Sequence, residues 1–385
     1  MKPQGCSMTA GVSLGGESMS MERQLTEMRN RFTGCLLGGA AGDALGAPVE
    51  FMSRRQILAR FGPGGITEYA PAYGGLGRIT DDTQMMLFTA EGLLRGLVRG
   101  AMRGMVSRIS VVASAYERWL FTQGAHAAKG SDDDWLNSGW LVKQQALHSR
   151  RAPGNTCLSA LRHMASFGDM ATNNSKGCGG VMRVAPVGLF FWPARDGATA
   201  FDLGVEAAAI THGHPSGHLT GGVLAAMILY LLHGDSLLDA LEKARTLLVE
   251  HDGHEEILNA LNLAEVLASE RGEASQAIAQ LGQGWVAEEA LAIAIYCALV
   301  AKDFRYGVTL AVNHDGDSDS TGAITGNLLG AMWGVEAIPT SWLEPLELRE
   351  VINEVAEDLL DCNQWDVDDY GGRDNDWVWE KYPGY

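Results

Sequence analysis

Apolar residues recur at three- and four-residue spacing along most of the 385-residue chain, and strand-like alternation is scarce. The pattern predicts helices from Met21 onward, from Met85 to Gly100, from Ile109 to Leu120, and over residues 201 to 212, 217 to 233, 236 to 250, 254 to 270 and 286 to 301. Pro153-Gly154-Asn155-Thr156 marks a further helix start, and the basic stretch before it, up to Arg151, is helix-compatible. We read an all-α protein: one helical domain over residues 30 to 385, with no linker polar enough to split it and no fixed-period repeat. Residues 1 to 29 are set apart as a flexible or partner-binding N-terminal extension, since the first 20 are rich in Gly, Ser and Met with little to bury. The tail from Asp361 is acidic and aromatic, and either packs back on the core or flanks a ligand.

Two segments break the rules for an ordinary helix. Gly34 to Gly46 carries glycine after glycine inside a helical stretch, at about 1 kcal/mol each, which makes sense where backbones must approach closely. Glu50 follows just past Pro48, where that helix is expected to stop. Ala323 to Trp333 is likewise small and apolar, broken by Gly326 and Gly330, and reads as a buried, closely packed helix.

Composition narrows the field. A hydrophobic content of 46% supports a substantial core, while a formal charge of -18 and a pI near 4.9 argue against nucleic-acid or anionic-membrane binding. Cysteines 6, 35, 157, 178, 297 and 362 show no C-x-x-C spacing and no disulfide framework, so a reduced, cytoplasmic chain is expected.

The candidate chemistry sits where the helical pattern is interrupted. In Asn313-His314-Asp315-Gly316-Asp317-Ser318-Asp319-Ser320-Thr321-Gly322, three alternating carboxylates repel one another unless a cation or several donors lie among them. A calcium EF-hand is excluded, because the sixth-position glycine and twelfth-position glutamate are missing. A glycine- and proline-rich loop, residues 61 to 79, delivers Thr80-Asp81-Asp82-Thr83-Gln84. Taken alone, Asp81 with Gln84 reads as a capping box for a helix beginning at Met85. Taken together, the two clusters repeat one theme, adjacent carboxylates and a hydroxyl at a helix mouth, which is the inventory of a site for two Mg2+ or Mn2+ ions.

A glycine loop, Gly177-Cys178-Gly179-Gly180, has backbone N–H groups suited to a phosphate, with Lys176 and Arg183 available to add charge; an ordinary loop is the alternative. It matches neither the dinucleotide fingerprint nor the P-loop. Thr211-His212-Gly213-His214-Pro215 and His218 lack the carboxylate or cysteine partner of a zinc site, so His212 is read as a hydrogen-bonding or substrate-contacting group.

Together, Gly42-Asp43-Ala44-Leu45-Gly46-Ala47-Pro48-Val49-Glu50-Phe51, Thr80 to Thr83, Gly177 to Arg183, Thr211 to Pro215 and Asp317-x-Asp319-Ser320-x-Gly322 resemble the ADP-ribosylglycohydrolase family, in the family's order over about residues 30 to 335. The resemblance implies a compact all-helical fold holding two magnesium or manganese ions. Thr80, Asp81 and Asp82 would bind them from one side, and Asp317, Asp319 and Ser320 from the other. Glu50 would stand at the mouth, and Glu50, Asp82 or Asp319 would move the proton. The loop from Lys176 through Gly177, Cys178, Gly179 and Gly180 to Met182 would hold the diphosphate, with His212 along the ADP-ribose. Ser320 stands where threonine is usual and keeps the hydroxyl. Some members carry an assisting aspartate after a Tyr-x-x-Trp helix; here Asp132 to Asp134 and Asn137 follow Tyr116-x-x-Trp119. The implied activity is removal of ADP-ribose from a modified protein, with arginine the expected linkage. The alternative is an immunity or regulatory protein that uses its N-terminal extension to block an ADP-ribosyltransferase toxin.

Overall fold

Six helices frame the part of the molecule that matters for function: α1 (Leu14–Gly46), α2 (Asp81–Arg103), α3 (Gly197–Ala209), α4 (Pro215–Leu232), α5 (Ala287–Val300) and α6 (Ser318–Trp333). They belong to a computed structural model that describes residues 14 to 126, 133 to 367 and 376 to 384. The first 13 residues of the N-terminal extension, Asp132 of the acidic triplet, and Tyr370 and Tyr385 of the tail lie outside the described residues. Among the described residues the only β pairing is two isolated bridges, Ala72 to Gly75 and Gly177 to Val286, and the second ties the glycine loop to the start of α5.

The glycines of α1 and α6 explain each other. Gly34, Gly38 and Gly42 meet Gly330, Gly326 and Gly322 in antiparallel order, and Gly46 meets Ser318. A Cβ on Gly34 would stand 2.6 Å from the Gly330 carbonyl oxygen, and one on Gly322 would stand 2.6 Å from that of Gly42, so the backbones touch where no side chain fits. This seam carries the end of α1 to the first turn of α6.

Around the seam, α4 fills the interior; it is long and apolar enough to cross a membrane, yet 83% of it is buried inside the protein. Its neighbour α3 packs along it, with Gly204 against the Gly221 carbonyl. The C-terminal tail packs back on the core: Tyr382 is buried, stacks on Trp365 at 5.8 Å and donates its hydroxyl to Asp358 at 2.5 Å.

Three local expectations are corrected. α2 begins at Asp81, not Met85, because Thr80 in an extended conformation accepts the Asp82 N–H and takes the capping position. Gln84 is then left to receive Trp119 Nε1 at 3.2 Å and to donate to Ser149 O at 3.0 Å. The basic stretch before Arg151 forms only the short 3-10 turns Leu141–Lys143 and Gln145–Leu147, tied by His148 Nε2 against Val142 O at 2.6 Å. Helices also form at Arg54–Phe61, Ala274–Leu281, Phe304–Val312 and Arg349–Asp361, where none was anticipated.

Candidate active site

Each acidic turn is placed by a hydrogen-bonded support. Asp43, fully buried in the last turns of α1, receives the Thr80 N–H at 3.0 Å and the Thr83 N–H at 3.2 Å, and also the Thr83 hydroxyl. It thereby fastens the start of α2 to the end of α1. Burial, opposed by these donors, pushes its carboxyl up to about 6. On the opposite turn, Gly316 adopts φ +142 with the Gln283 carbonyl where a Cβ would stand, and Asp317 N–H bonds that carbonyl at 2.8 Å. Asp317 caps α6 by accepting the Ser320 N–H at 3.3 Å. Asp315, by contrast, turns away and accepts the Arg54 N–H at 2.7 Å.

The two turns face one cavity of about 400 Å3, lined by Asp81 and Asp82 from α2, Asp317, Asp319 and Ser320 from α6, and Glu50 from the turn after α1. Thr80 is buried behind them, its hydroxyl 3.4 Å from Asp82 Oδ2. Gly177, Cys178, Gly179, Met182 and His212 form the facing wall. A larger cavity of about 610 Å3, beside Pro383 and Gly384, includes no acidic residue in its lining.

The electrostatics of the smaller cavity are lopsided. Among the described residues, no ion pair reaches Glu50, Asp81, Asp82, Asp317 or Asp319. Burial first, and then the charges of Asp317, Asp81 and Asp43, push Glu50 up to about 9. Burial likewise holds Asp81, Asp82 and Asp319 well above the ordinary carboxylate range, and neighbouring carboxylates add to it. Glu50 Oε2 and Asp82 Oδ1 are buried without a hydrogen-bond partner, a costly condition for an acceptor. Carboxylates and hydroxyls with open positions are the donor set that magnesium and manganese prefer. No closed cluster of three metal-ligating side chains is preformed among the described residues.

Not every expected residue joins the site. The Lys176 ammonium is held by Glu256, at 2.7 Å, and by Glu288, away from the cavity lining. Gly180 is packed against the Gly217 carbonyl and Ala208, with no room for a side chain. The backbone N–H groups of Gly177 and Cys178 are already given to Ser175 Oγ and Trp285 O, both at 3.3 Å. Arg183 lies fully buried beneath the loop. The histidine cluster divides its work: His214 caps α4, and His218 Nδ1 approaches the His212 carbonyl at 3.1 Å.

The structure adds what sequence reasoning missed. Phe51 is 72% exposed at the mouth and stacks on Trp285, centroid to centroid 5.9 Å at 16°, beside Glu50. Cys178 donates its S–H to Asp317 Oδ2 at 2.8 Å, with burial and that carboxylate raising its pKa, so it is a neutral member of the acidic wall. An aromatic next to an acidic residue was the available signal for the first; Cys178 was expected in the loop, but nothing in the sequence signalled its contact to Asp317.

A family model described as ADP-ribosylglycohydrolase matches residues 24–367. The chain is 28% identical to an ADP-ribosyl-[dinitrogen reductase] glycohydrolase of Rhodospirillum rubrum, over 84% of this chain and 92% of that protein. It is 26% identical to the ADP-ribosylarginine hydrolase Tri1 of Serratia proteamaculans (strain 568), over 87% and 80% respectively. A solved structure titled ADP-ribosylglycohydrolase-related protein complex superposes with a TM-score of 0.60 at 28% identity, covering 88% of this chain and 99% of the other.

Proposed function

Because the chain belongs to the ADP-ribosylglycohydrolase family, we propose that it removes ADP-ribose from modified protein side chains and that the bond it cleaves joins the sugar to arginine. The observation that carries this reading is the convergence of two sequence-distant acidic turns on one cavity, with Glu50 Oε2 and Asp82 Oδ1 left unpartnered. Two divalent cations, magnesium or manganese, held by Thr80, Asp81 and Asp82 on one side and Asp317, Asp319 and Ser320 on the other, would supply the positive charge that orients the ribose hydroxyls and a water. Asp82 and Asp319 hold the sugar edge between the two turns. Glu50, at the mouth with its Oε2 unpartnered, moves the proton at the bond being broken. The Phe51 face beside it suits a flat guanidinium leaving group, which stacks on aromatic rings where a serine hydroxyl does not.

The test is incubation with ADP-ribosylated arginine and serine substrates, with and without chelator. Release of ADP-ribose from the arginine substrate, lost with chelator and restored by magnesium or manganese, is expected. Equal turnover of both linkages would overturn the arginine assignment, and turnover indifferent to chelator would overturn the metal assignment.

A further inference from the structure

Arg183 is fully buried and has no carboxylate partner among the described residues. Its guanidinium lies over the Tyr116 ring at 4.2 Å and donates from Nη2 to Ala207 O at 2.9 Å and to Thr211 Oγ1 at 2.8 Å. A buried cation kept on neutral acceptors is expensive, and the hydrogen bonds leading away from it show where it acts. Thr211 Oγ1 lies 2.8 Å from His212 Nδ1. The other edge of that ring points into the glycine loop: Nε2 lies 3.2 Å from the Cβ position of Gly177 and 3.4 Å from that of Gly179.

The direction of the protons follows from counting lone pairs. Arg183 can only donate, so it occupies one acceptor position on Thr211 Oγ1. The Thr211 proton can go to His212 Nδ1 at 2.8 Å, to Ala208 O at 3.4 Å, or to the Cys157 sulfur, a weak acceptor that already receives Arg183 Nη1 at 3.6 Å. Ala208 O already accepts the Thr211 N–H at 3.2 Å and the His212 N–H at 3.1 Å, which uses both of its lone pairs. The nearest strong acceptor left for the hydroxyl proton is Nδ1, which puts the ring proton on Nε2.

We propose that Arg183 and Thr211 are positioning residues that lock His212 in the neutral Nε2-protonated tautomer, so that it presents an uncharged N–H donor to a diphosphate in the glycine loop. The substrate half of this inference rests on the ADP-ribose reading of the same cavity. It gives the loop a donor where the Gly177 and Cys178 amides are already engaged. The reverse tautomer would aim a lone pair at a phosphate oxygen. Burial, then the charges of Arg183 and His218, hold His212 down to about 3, so the ring stays uncharged at working pH.

Nitrogen-detected NMR of histidine-labelled protein reads the tautomer without any ligand. His212 is expected to show a protonated Nε2 and a bare Nδ1, unchanged from pH 5 to 8; the opposite tautomer or a charged ring would overturn the proposal. Thr211→Val is expected to scramble the tautomer, to weaken ADP-ribose binding about 10-fold by calorimetry and to raise KM with little change in kcat, while Thr211→Ser restores all three. If the wild type shows the expected tautomer but does not bind ADP-ribose, the lock stands and the substrate reading falls. If ADP-ribose binds and a folded Thr211→Val variant binds it equally well, the lock has no role in binding and the proposal fails.

Discussion

Two buried acidic groups in this molecule are treated in opposite ways. Glu347 is buried between Arg151 and Arg78, with Arg151 Nη2 2.9 Å from Oε1; burial alone would raise its pKa, yet those two guanidiniums hold it below the ordinary range. Glu50, Asp82 and Asp319 are buried as deeply, have no such counter-charge and are pushed up. Glu347 brings its cations with it as part of the fold, whereas the three cavity carboxylates are left without one, the condition expected of groups that meet a charge arriving from solution.

The contrast breaks or sharpens under four measurements. Glu347→Ala should cost about 3–5 kcal/mol in urea denaturation, because Arg151 is left buried and unpaired; a loss under 1 kcal/mol would erase the distinction. Asp82→Asn and Asp319→Asn should go the other way. Each lowers hydrolysis at least about 100-fold yet raises the unfolding free energy of the metal-free protein by about 1 kcal/mol, since a repelling charge is removed. Destabilisation by both would mean that these carboxylates are structural after all. Gly326→Ala, which presses a methyl onto the Gly38 carbonyl, should cost about 1–3 kcal/mol and impair hydrolysis through the seam, with no contact to substrate. Full activity in that variant would show that the site does not depend on this close approach.

The fourth measurement follows pH. Glu50 rises from 4.5 to about 9 on folding, so between those values the folded chain binds more protons than the unfolded one. Stability of the metal-free protein must then fall as pH rises through this window, and it is fully present only below about 4.5. Melting scans from pH 5 to 9 should show that decline, and excess magnesium or manganese should flatten it, because the cation replaces the proton. A metal-free melting temperature that climbs over the same range would contradict the sign.

The sequence made the helices legible because their apolar period is long and regular, and it made the acidic turns legible because carboxylates at that density need a partner. It did not show what glycines face. Gly38 and Gly326 read as two places of close packing with no partner named, and only in the structure become one contact. Nor did it show competition for a side chain: Lys176 looked like a phosphate ligand until Glu256 and Glu288, 80 and 112 residues further on, were found to hold it. The start of α2 was placed four residues late: Thr80 and Asp81 are both good caps, the donors around Asp43 decide for Thr80, and the polar turn from Asp81 to Gln84 is already helical. Arg183 gave no hint of its burial, since a basic residue beside a glycine loop looks the same whether it faces solvent or the interior.

The antiparallel seam also sets a timetable. Glu50 and Asp319 are separated by about 270 residues, and at the usual pace of synthesis, about 5–20 residues per second, the second acidic turn leaves the ribosome roughly 15–50 s after the first. Through that interval the glycine face of α1 has no mate, and the cavity lacks its second acidic turn. If the proposed site is the working one, a nascent chain that stops before the second turn is inert, and competence arrives in one late closure of a very long loop.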